Sequence, residues 1–157
     1  MRITQPVRVS HAYTQHLEAP AEKVFPLLCP VREAEWINGW DPSVVYTSSG
    51  VAEENCVFIT GSGGEEAIWT VTAYVPAEGR IEFVKTMPGH TNARVRIKVR
   101  RVDERTSTAL VEYQYTALGP AGEQFIASFT PDHYLEFMRA WEDRLNHYLM
   151  TGVMLQR

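Results

Sequence analysis

The sequence predicts an α+β fold in which a curved antiparallel sheet of six or seven strands wraps around one long C-terminal helix. Apolar residues alternate with polar ones in short runs along the middle of the chain, turn residues separate these runs, and a long helical pattern closes the sequence. Short turns join antiparallel neighbours, because parallel pairing needs a longer crossover. The length fits a single domain over residues 1–157, with elements in the order strand, two helices, six strands, helix.

The N-terminal part is predicted to contain one strand and two short helices. Alternating residues with β-branched and aromatic side chains predict the first strand over Val7–Leu17. Pro20 suits the first position of a helix, where its missing N–H would have no partner, and Pro26 prevents this helix from extending. The residues that follow predict a second short helix over Val31–Asn38, which ends at Gly39.

Six strands are predicted in the middle of the chain. Glycine, proline and acidic residues separate them, and these residues reverse a chain at little cost. In the fifth of these strands, Ala93–Val102, apolar residues alternate with cations, and the apolar side is the expected inner face. On the third strand, Trp69, Val71 and Ala73 are expected to point inward. The predicted strands are Val44–Ser48, Cys56–Gly61, Glu66–Val75, Arg80–Thr86, Ala93–Val102 and Thr106–Ala117.

The last predicted element is a long amphipathic helix. Thr130 is suited to cap it, Pro131 to occupy its first turn and Gly152 to end it after about Met150. A separate short helix is predicted over Gly122–Phe129, since Thr130 starts a new helix. The apolar stripe of the long helix comprises Tyr134, Phe137, Met138, Trp141, Leu145, Tyr148 and Leu149. Its polar side comprises Glu136, Arg139, Glu142, Asp143 and Arg144.

The charge distribution argues against nucleic-acid and membrane partners. The net charge is -4 and the pI is near 5.7, so the protein as a whole does not attract a polyanion. The N-terminal residues contain no signal core or bilayer-spanning stretch, which predicts a cytoplasmic location and no membrane insertion. One predicted strand carries a local basic stripe, interpreted as a solvated face, with an anion or partner contact as the alternative. The basic stripe comprises Arg94, Arg96, Lys98, Arg100 and Arg101.

Cysteines and histidines give no support for a metal site or another cofactor. Cys29 and Cys56 are far apart in the sequence and lie among apolar neighbours, which predicts two reduced, buried thiols. His11 and His16 are five residues apart on a strand, so they point to opposite faces. The chain contains no H-E-x-x-H motif and no cysteine–histidine spacing of a zinc site. We therefore predict no metal and no cofactor.

The order of the elements and several short segments resemble a known superfamily. The order of the elements, with Ala19–Phe25 between the first strand and the first helix, resembles the START-like, Bet v 1-like (SRPBCC) superfamily, which includes polyketide cyclase/dehydrase-type and lipid-transfer proteins. The segment Cys29–Trp40, followed by Ser49-Gly50 and Cys56–Phe58, resembles an uncharacterised bacterial subgroup of it. The resemblance covers about Val9–Leu149. It implies a helix-grip fold and a cavity for a hydrophobic ligand, but no particular reaction, since one fold hosts many functions.

Aromatic residues on the expected inner face are the candidates for ligand binding, with a role in the core as the alternative for each. Tyr113 and Tyr115 share a face of the last strand, and tyrosine lines an apolar cavity while offering a hydroxyl group. Trp36 and Trp40 are expected near the cavity mouth, either as a lid or as residues that hold the second helix on the sheet. The candidate ligand-binding residues are Trp36, Trp40, Trp69, His90, Tyr113, Tyr115, Tyr134, Phe137 and Trp141.

Few ionisable residues are candidates for chemistry. We expect Arg32 to form an ion pair with Glu35 or Glu33 rather than to act in catalysis. Catalysis inside an apolar cavity would require at least one inward ionisable residue with a perturbed pKa. The candidates for that role are His11, His90 and Tyr113.

The predicted function is the binding of a small hydrophobic molecule, by a carrier or a sensor, in a cavity between the sheet and the C-terminal helix. A cyclase- or dehydratase-type enzyme that acts on a polyketide-like or aromatic substrate in the same cavity is the first alternative. A protein-interaction module similar to co-chaperones is the second, and it predicts a filled core. The sequence leaves open whether the protein is an enzyme, which ligand it binds and how it assembles.

Overall fold

In the computed structural model, which describes residues 1–156, seven antiparallel strands form one sheet. The order across the sheet is β1-β7-β6-β5-β4-β3-β2, which confirms the predicted curved antiparallel sheet. The first strand pairs with the last along its whole length. Because β1 and β2 lie at opposite edges of the sheet, the chain crosses from one edge to the other between them. The strands are β1 (Arg8–Leu17), β2 (Val44–Tyr46), β3 (Val57–Thr60), β4 (Ala67–Val75), β5 (Arg80–Met87), β6 (Thr91–Arg101) and β7 (Ser107–Ala117).

Three α-helices accompany the sheet in the described part of the chain: α1 (Ala21–Val24), α2 (Pro120–Ser128) and α3 (Pro131–Thr151). The helix α3 begins where the side chain of Thr130 accepts a hydrogen bond from the backbone N–H of His133, and it ends at Gly152, with φ at 72°. Its buried residues are Tyr134, Met138, Trp141 and Leu145. The predicted long amphipathic helix and the separate short helix before it are both confirmed.

The segment predicted as a second short helix is a single 3₁₀ turn, Arg32–Glu35, so the predicted range Val31–Asn38 is too long. The N–H of Trp36 bonds to the carbonyl of Glu33, and the backbone of Trp36 then leaves the helical region with φ at -133°. The indole of Trp36 is fully buried and donates to the carbonyl of Leu27 at 3.0 Å. The turn therefore ends where the side chain of Trp36 enters the core.

A β-bulge changes which residues of β4 face inward. The pairing register between β4 and β5 shifts between Val71 and Ala73, and beyond the shift Tyr74 lies opposite the buried Ile81. Because one extra residue reverses the alternation, Tyr74 takes the inner face and packs against Phe25, with ring centroids 5.3 Å apart. The prediction that Ala73 points inward is therefore wrong.

The helix α3 covers the free edge of β1 with polar side chains. Glu142 accepts hydrogen bonds from the hydroxyl of Tyr13 at 2.9 Å and from the backbone N–H of His16 at 2.6 Å. Asn146 accepts from the N–H of Glu18 and donates to the carbonyl of His16, both at 2.9 Å. Glu142, predicted on the polar side of the helix, thus binds an uncovered backbone N–H of the edge strand β1.

The helix α2 lies directly on the turn between β5 and β6. A Cβ atom added at Gly122 would overlap the carbonyl oxygen of His90, so the helix approaches the turn at a distance that only glycine allows. The backbone N–H of Leu118 also donates to the carbonyl of His90, at 2.8 Å. This contact fixes α2 over one end of the sheet and closes the core there.

Four residues of the basic stripe, Arg94, Arg96, Lys98 and Arg100, alternate with the buried residues of β6 and lie on the outer face of the sheet. The fifth, Arg101, has the inner-face register opposite the buried Ser107 and is exposed at the end of the strand. Arg94 and Arg96 are exposed and pair with Glu82 at 3.0 and 3.5 Å, as expected for a solvated strand face. Cys29 and Cys56 are buried and free, as predicted. No helix in the described part of the chain combines the length and the apolarity needed to cross a bilayer.

Candidate ligand-binding cavity

A cavity of about 140 Å³ lies between the inner face of the sheet, α3 and the segment that follows the 3₁₀ turn. Nine of its twelve lining residues are apolar, and the other three are a glutamate, a tyrosine and an arginine. Its lining residues are Glu33, Ile37, Trp40, Phe58, Trp69, Phe83, Val95, Ile97, Tyr113, Phe137, Trp141 and Arg144.

Four aromatic rings form a rigid wall on one side of the cavity. Phe58 and Trp69 are cross-strand partners and stack at 5.2 Å with an interplanar angle of 13°. Phe83 stands perpendicular to both of them, at 6.2 Å from Phe58 and 6.1 Å from Trp69. The ring of Trp40 meets those of Phe58 and Trp69 edge-on, with centroids 6.2 Å apart in each case. Edge-to-face and offset contacts of this kind are the favoured aromatic geometries, so the wall is well packed.

Hydrogen bonds hold the two indoles of this wall in place. Trp40 donates its ring N–H to the carbonyl of Pro30 at 2.7 Å, and Trp69 donates to the hydroxyl of Thr60 at 2.9 Å. The ammonium of Lys85, opposite Trp69 on β5, lies 4.9 Å from the centroid of the Trp69 ring, and burial lowers its pKa. Since the N–H groups of both indoles already donate hydrogen bonds to other protein atoms, the rings present only apolar surfaces to the cavity.

Glu33 places a carboxyl group in this largely apolar cavity. Its backbone is fixed, because its N–H donates to the carbonyl of Cys29 at 2.7 Å and its carbonyl accepts from Trp36 and Ile37. The side chain is 9% exposed and has no hydrogen-bond or ion-pair partner among the described residues. Burial raises the pKa of Glu33 from 4.5 to about 8. The side chain is therefore a neutral carboxylic acid at neutral pH.

The other charged residues of the 3₁₀ turn bind each other and leave Glu33 without a counterion. Arg32 pairs with Glu35 through two hydrogen bonds of 2.9 and 3.1 Å, and the hydroxyl of Tyr148 donates to Glu35 at 2.6 Å. These donors lower the pKa of Glu35, the opposite direction to Glu33 on the same turn. Of the two ion pairs expected for Arg32, the structure contains the one with Glu35.

The helix α3 contributes the opposite wall and the mouth of the cavity. The ring of Trp141 stacks on that of Trp36 at 5.7 Å, and its Nε1 is buried without a hydrogen-bond partner in the described structure. Phe137 is 42% exposed and meets the ring of Tyr113 edge-on at 5.8 Å. Arg144 is half-buried and has no carboxylate partner among residues 1–156. A cation and an aromatic ring therefore border the opening.

Tyr113 is the third polar group that faces the cavity. It lies on β7, is 9% exposed, and its hydroxyl has no hydrogen-bond partner in the described part of the chain. Burial first, and then the neighbouring Tyr115, Glu33 and Tyr134, raise its pKa well above the ordinary value. Tyr113 is thus a neutral hydroxyl group that can donate or accept one hydrogen bond beside Glu33.

Five of the nine predicted ligand-binding residues line the cavity: Trp40, Trp69, Tyr113, Phe137 and Trp141. The other four lie elsewhere. Trp36 is behind Trp141, and Tyr115 packs against Phe125 and Phe129 of the α2 region, with centroids 4.8 and 5.0 Å away. Tyr134 donates its hydroxyl to the carbonyl of Val111, and the Nδ1 of His90 lies 3.0 Å from the hydroxyl of Thr91.

Glu33 and Arg144 line the cavity but were not predicted as site residues. Both lie on helical segments whose sequence pattern gives them the charged side, and the pattern carries no signal that either one reaches the interior. His11, a predicted acid–base candidate, uses its Nε2 for a 2.7 Å hydrogen bond with the carbonyl of Phe129. Within residues 1–156 no group of three or more His, Cys, Asp or Glu side chains is placed to hold a metal ion.

Solved structures share this architecture at low sequence identity. Norcoclaurine synthase from Thalictrum flavum matches with a TM-score of 0.67 and 12% identity over 96% of this chain and 98% of that chain. The di-domain ARO/CYC protein BexL from the BE-7585A biosynthetic pathway matches with a TM-score of 0.63 and 18% identity over 90% of this chain and 46% of that chain. An uncharacterised protein from Rhizobium leguminosarum matches with a TM-score of 0.64 and 14% identity over 95% of this chain and 99% of that chain.

The sequence comparisons give no further assignment, since no model of a known protein family and no curated protein sequence matches the chain. The structural matches cover at least 90% of this chain, at identities that establish a shared fold rather than a shared activity. The chain therefore has the predicted helix-grip fold, which it shares with norcoclaurine synthase.

Proposed function

We propose that this protein is a carrier or sensor that binds a small, largely apolar molecule containing one ring in the cavity beneath α3. The observation that carries the proposal is the rigid aromatic wall around an open volume of about 140 Å³. An apolar cavity of about 150 Å³ is known to accommodate benzene, so this volume suits one ring. The long acyl chain of a lipid needs more room.

The arrangement of the wall supports binding rather than simple packing. The hydrogen bonds of Trp40 and Trp69 hold their rings at the cavity surface before any ligand arrives, and such preorganisation reduces the entropy lost on binding. A protein-interaction module would be expected to fill this space with side chains. The buried free thiols of Cys29 and Cys56 are in keeping with the cytoplasmic location that we also propose.

A cyclase- or dehydratase-type enzyme is the second candidate, and one observation favours it. The neutral carboxylic acid of Glu33 faces the cavity beside the hydroxyl of Tyr113, and an acid with a pKa near neutrality is suited to proton transfer. BexL is described as an ARO/CYC protein and norcoclaurine synthase as a synthase. Binding is the primary proposal, because every reaction in this cavity requires it first.

Ligand-observed NMR with small one-ring compounds tests the binding proposal. We expect benzyl alcohol to bind saturably to the wild-type protein. Val95→Trp should abolish this binding, because Val95 lines the cavity on β6 and the larger side chain fills it. Ile68→Trp is the matched control, since Ile68 is an exposed residue of β4. The thermal midpoint of each variant shows whether it is folded. If folded Val95→Trp binds as well as the wild type, or if the wild type binds no one-ring compound, the proposal is wrong.

A further inference from the structure

The polar groups around the cavity are matched to a ligand that brings hydrogen-bond acceptors and negative charge. The titratable or charged residues that line it are Glu33 from the 3₁₀ turn, Tyr113 from β7 and Arg144 from α3. None of the three has a hydrogen-bond or ion-pair partner among the described residues. A guanidinium group only donates, and a protonated carboxyl group offers one O–H donor.

The charges around the cavity favour an anion over a cation. Because Glu33 is neutral, Arg144 is the one formal charge among the described lining residues at neutral pH. Lys85 adds a second positive charge beside the Trp69 ring. Arg32 and Glu35, the charged neighbours of Glu33 on its own turn, neutralise each other. A cationic ligand would meet this positive potential and would first have to ionise a buried acid, whereas an anion meets unpaired donors.

We propose that the ligand is a one-ring carboxylate that places its ring against Trp40 and Trp69 and its carboxylate between the acid of Glu33 and the guanidinium of Arg144. This inference rests on the proposed binding function and specifies its ligand class. The cavity is small enough that groups on its different walls contact the same bound ring. An O–H donor and a guanidinium group both form short, charge-assisted hydrogen bonds with a carboxylate.

Binding of such an anion depends on the protonation of Glu33. Two ionised carboxylates at one site repel each other, so the site binds the anion only while Glu33 keeps its proton. With the pKa of Glu33 at about 8, about 3% of the sites are protonated at pH 9.5, and the affinity should fall by about 30-fold between pH 6 and 9.5.

Isothermal titration calorimetry with benzoate, benzyl alcohol and benzylamine tests the inference. We expect benzoate to bind at least tenfold more tightly than the other two compounds at pH 6.5, and this preference to disappear in Arg144→Gln. Arg139→Gln is the matched control, because Arg139 is exposed on the same helix and does not line the cavity. In Glu33→Gln, benzoate should still bind, since the amide donates as well, but the pH dependence should be absent.

The outcomes separate this inference from the binding proposal. If benzyl alcohol binds and benzoate binds no more tightly than it does, or if benzylamine binds most tightly of the three, the carboxylate inference is wrong and the binding proposal stands. An unchanged benzoate affinity in Arg144→Gln, or a pH dependence that persists in Glu33→Gln, also overturns the inference. If none of the three compounds binds to the folded wild-type protein, both proposals fail.

Discussion

Replacing Glu33 by glutamine is expected to stabilise the ligand-free protein at neutral pH. Burial raises the pKa of Glu33 from 4.5 to about 8 in the folded state. In the unfolded chain the carboxyl group loses its proton near pH 4.5, whereas in the folded protein it keeps the proton until about pH 8. Between these two values the unfolded state binds fewer protons than the folded state, so the free energy of unfolding falls as the pH rises.

The pKa difference sets the size of this effect. Each pH unit within the window lowers the free energy of unfolding by about 1.4 kcal/mol at most, so the wild type loses about 3 kcal/mol from pH 4.5 to 7 and about 4 kcal/mol by pH 8. Glutamine has nearly the same shape and does not ionise. We therefore expect Glu33→Gln to match the wild type within about 1 kcal/mol at pH 4 and to exceed it by about 3 kcal/mol at pH 7.

Urea unfolding followed by tryptophan fluorescence at several pH values between 4 and 9 measures both proteins. Glu35→Gln is the control on the same turn, with the opposite sign. Because Arg32 and then Tyr148 lower the pKa of Glu35, this variant should be less stable than the wild type at pH 7, and the difference should disappear as the pH falls through the folded pKa. If the difference in unfolding free energy between Glu33→Gln and the wild type does not change with pH, the conclusion that Glu33 is neutral is wrong. It is also wrong if the wild type is more stable than Glu33→Gln at pH 7.

Two further substitutions test the packing of the helices on the sheet. Trp141→Ala should lower the free energy of unfolding by roughly 3–5 kcal/mol in urea unfolding, because it removes a buried indole, whereas Phe137→Ala, at a partly exposed position one turn earlier, should cost less than half as much. Equal effects would show that Trp141 is not part of the core. Gly122→Ala should lower the thermal midpoint although alanine favours a helix by about 1 kcal/mol over glycine, because the new methyl group overlaps the carbonyl oxygen of His90; an unchanged or higher midpoint would contradict the close approach of α2.

Most elements of the fold could be predicted from local sequence patterns alone. The alternation of apolar and charged residues on β6 and the helical period over α3 are local consequences of burying one face, and a single chain displays both. Thr130 and Gly152 marked the ends of α3 because capping depends on residues adjacent in sequence. The same local reasoning failed at the bulge before Tyr74, where one extra residue reversed the inner face without a sequence signal.

The position of the cavity and the polar groups that face it depend on how the elements pack together, which local patterns do not show. A periodic pattern shows that a face is buried, but a cavity forms where two buried faces fail to touch, and that depends on how α3 lies across the sheet. Tyr113 and Tyr115 share one face of β7 and were indistinguishable in the sequence; α2 covers Tyr115, whereas Tyr113 remains beside the open volume. Glu33 and Arg144 belong to charged segments, and only the docking of those segments on the sheet turns an acid and a cation toward the same small space.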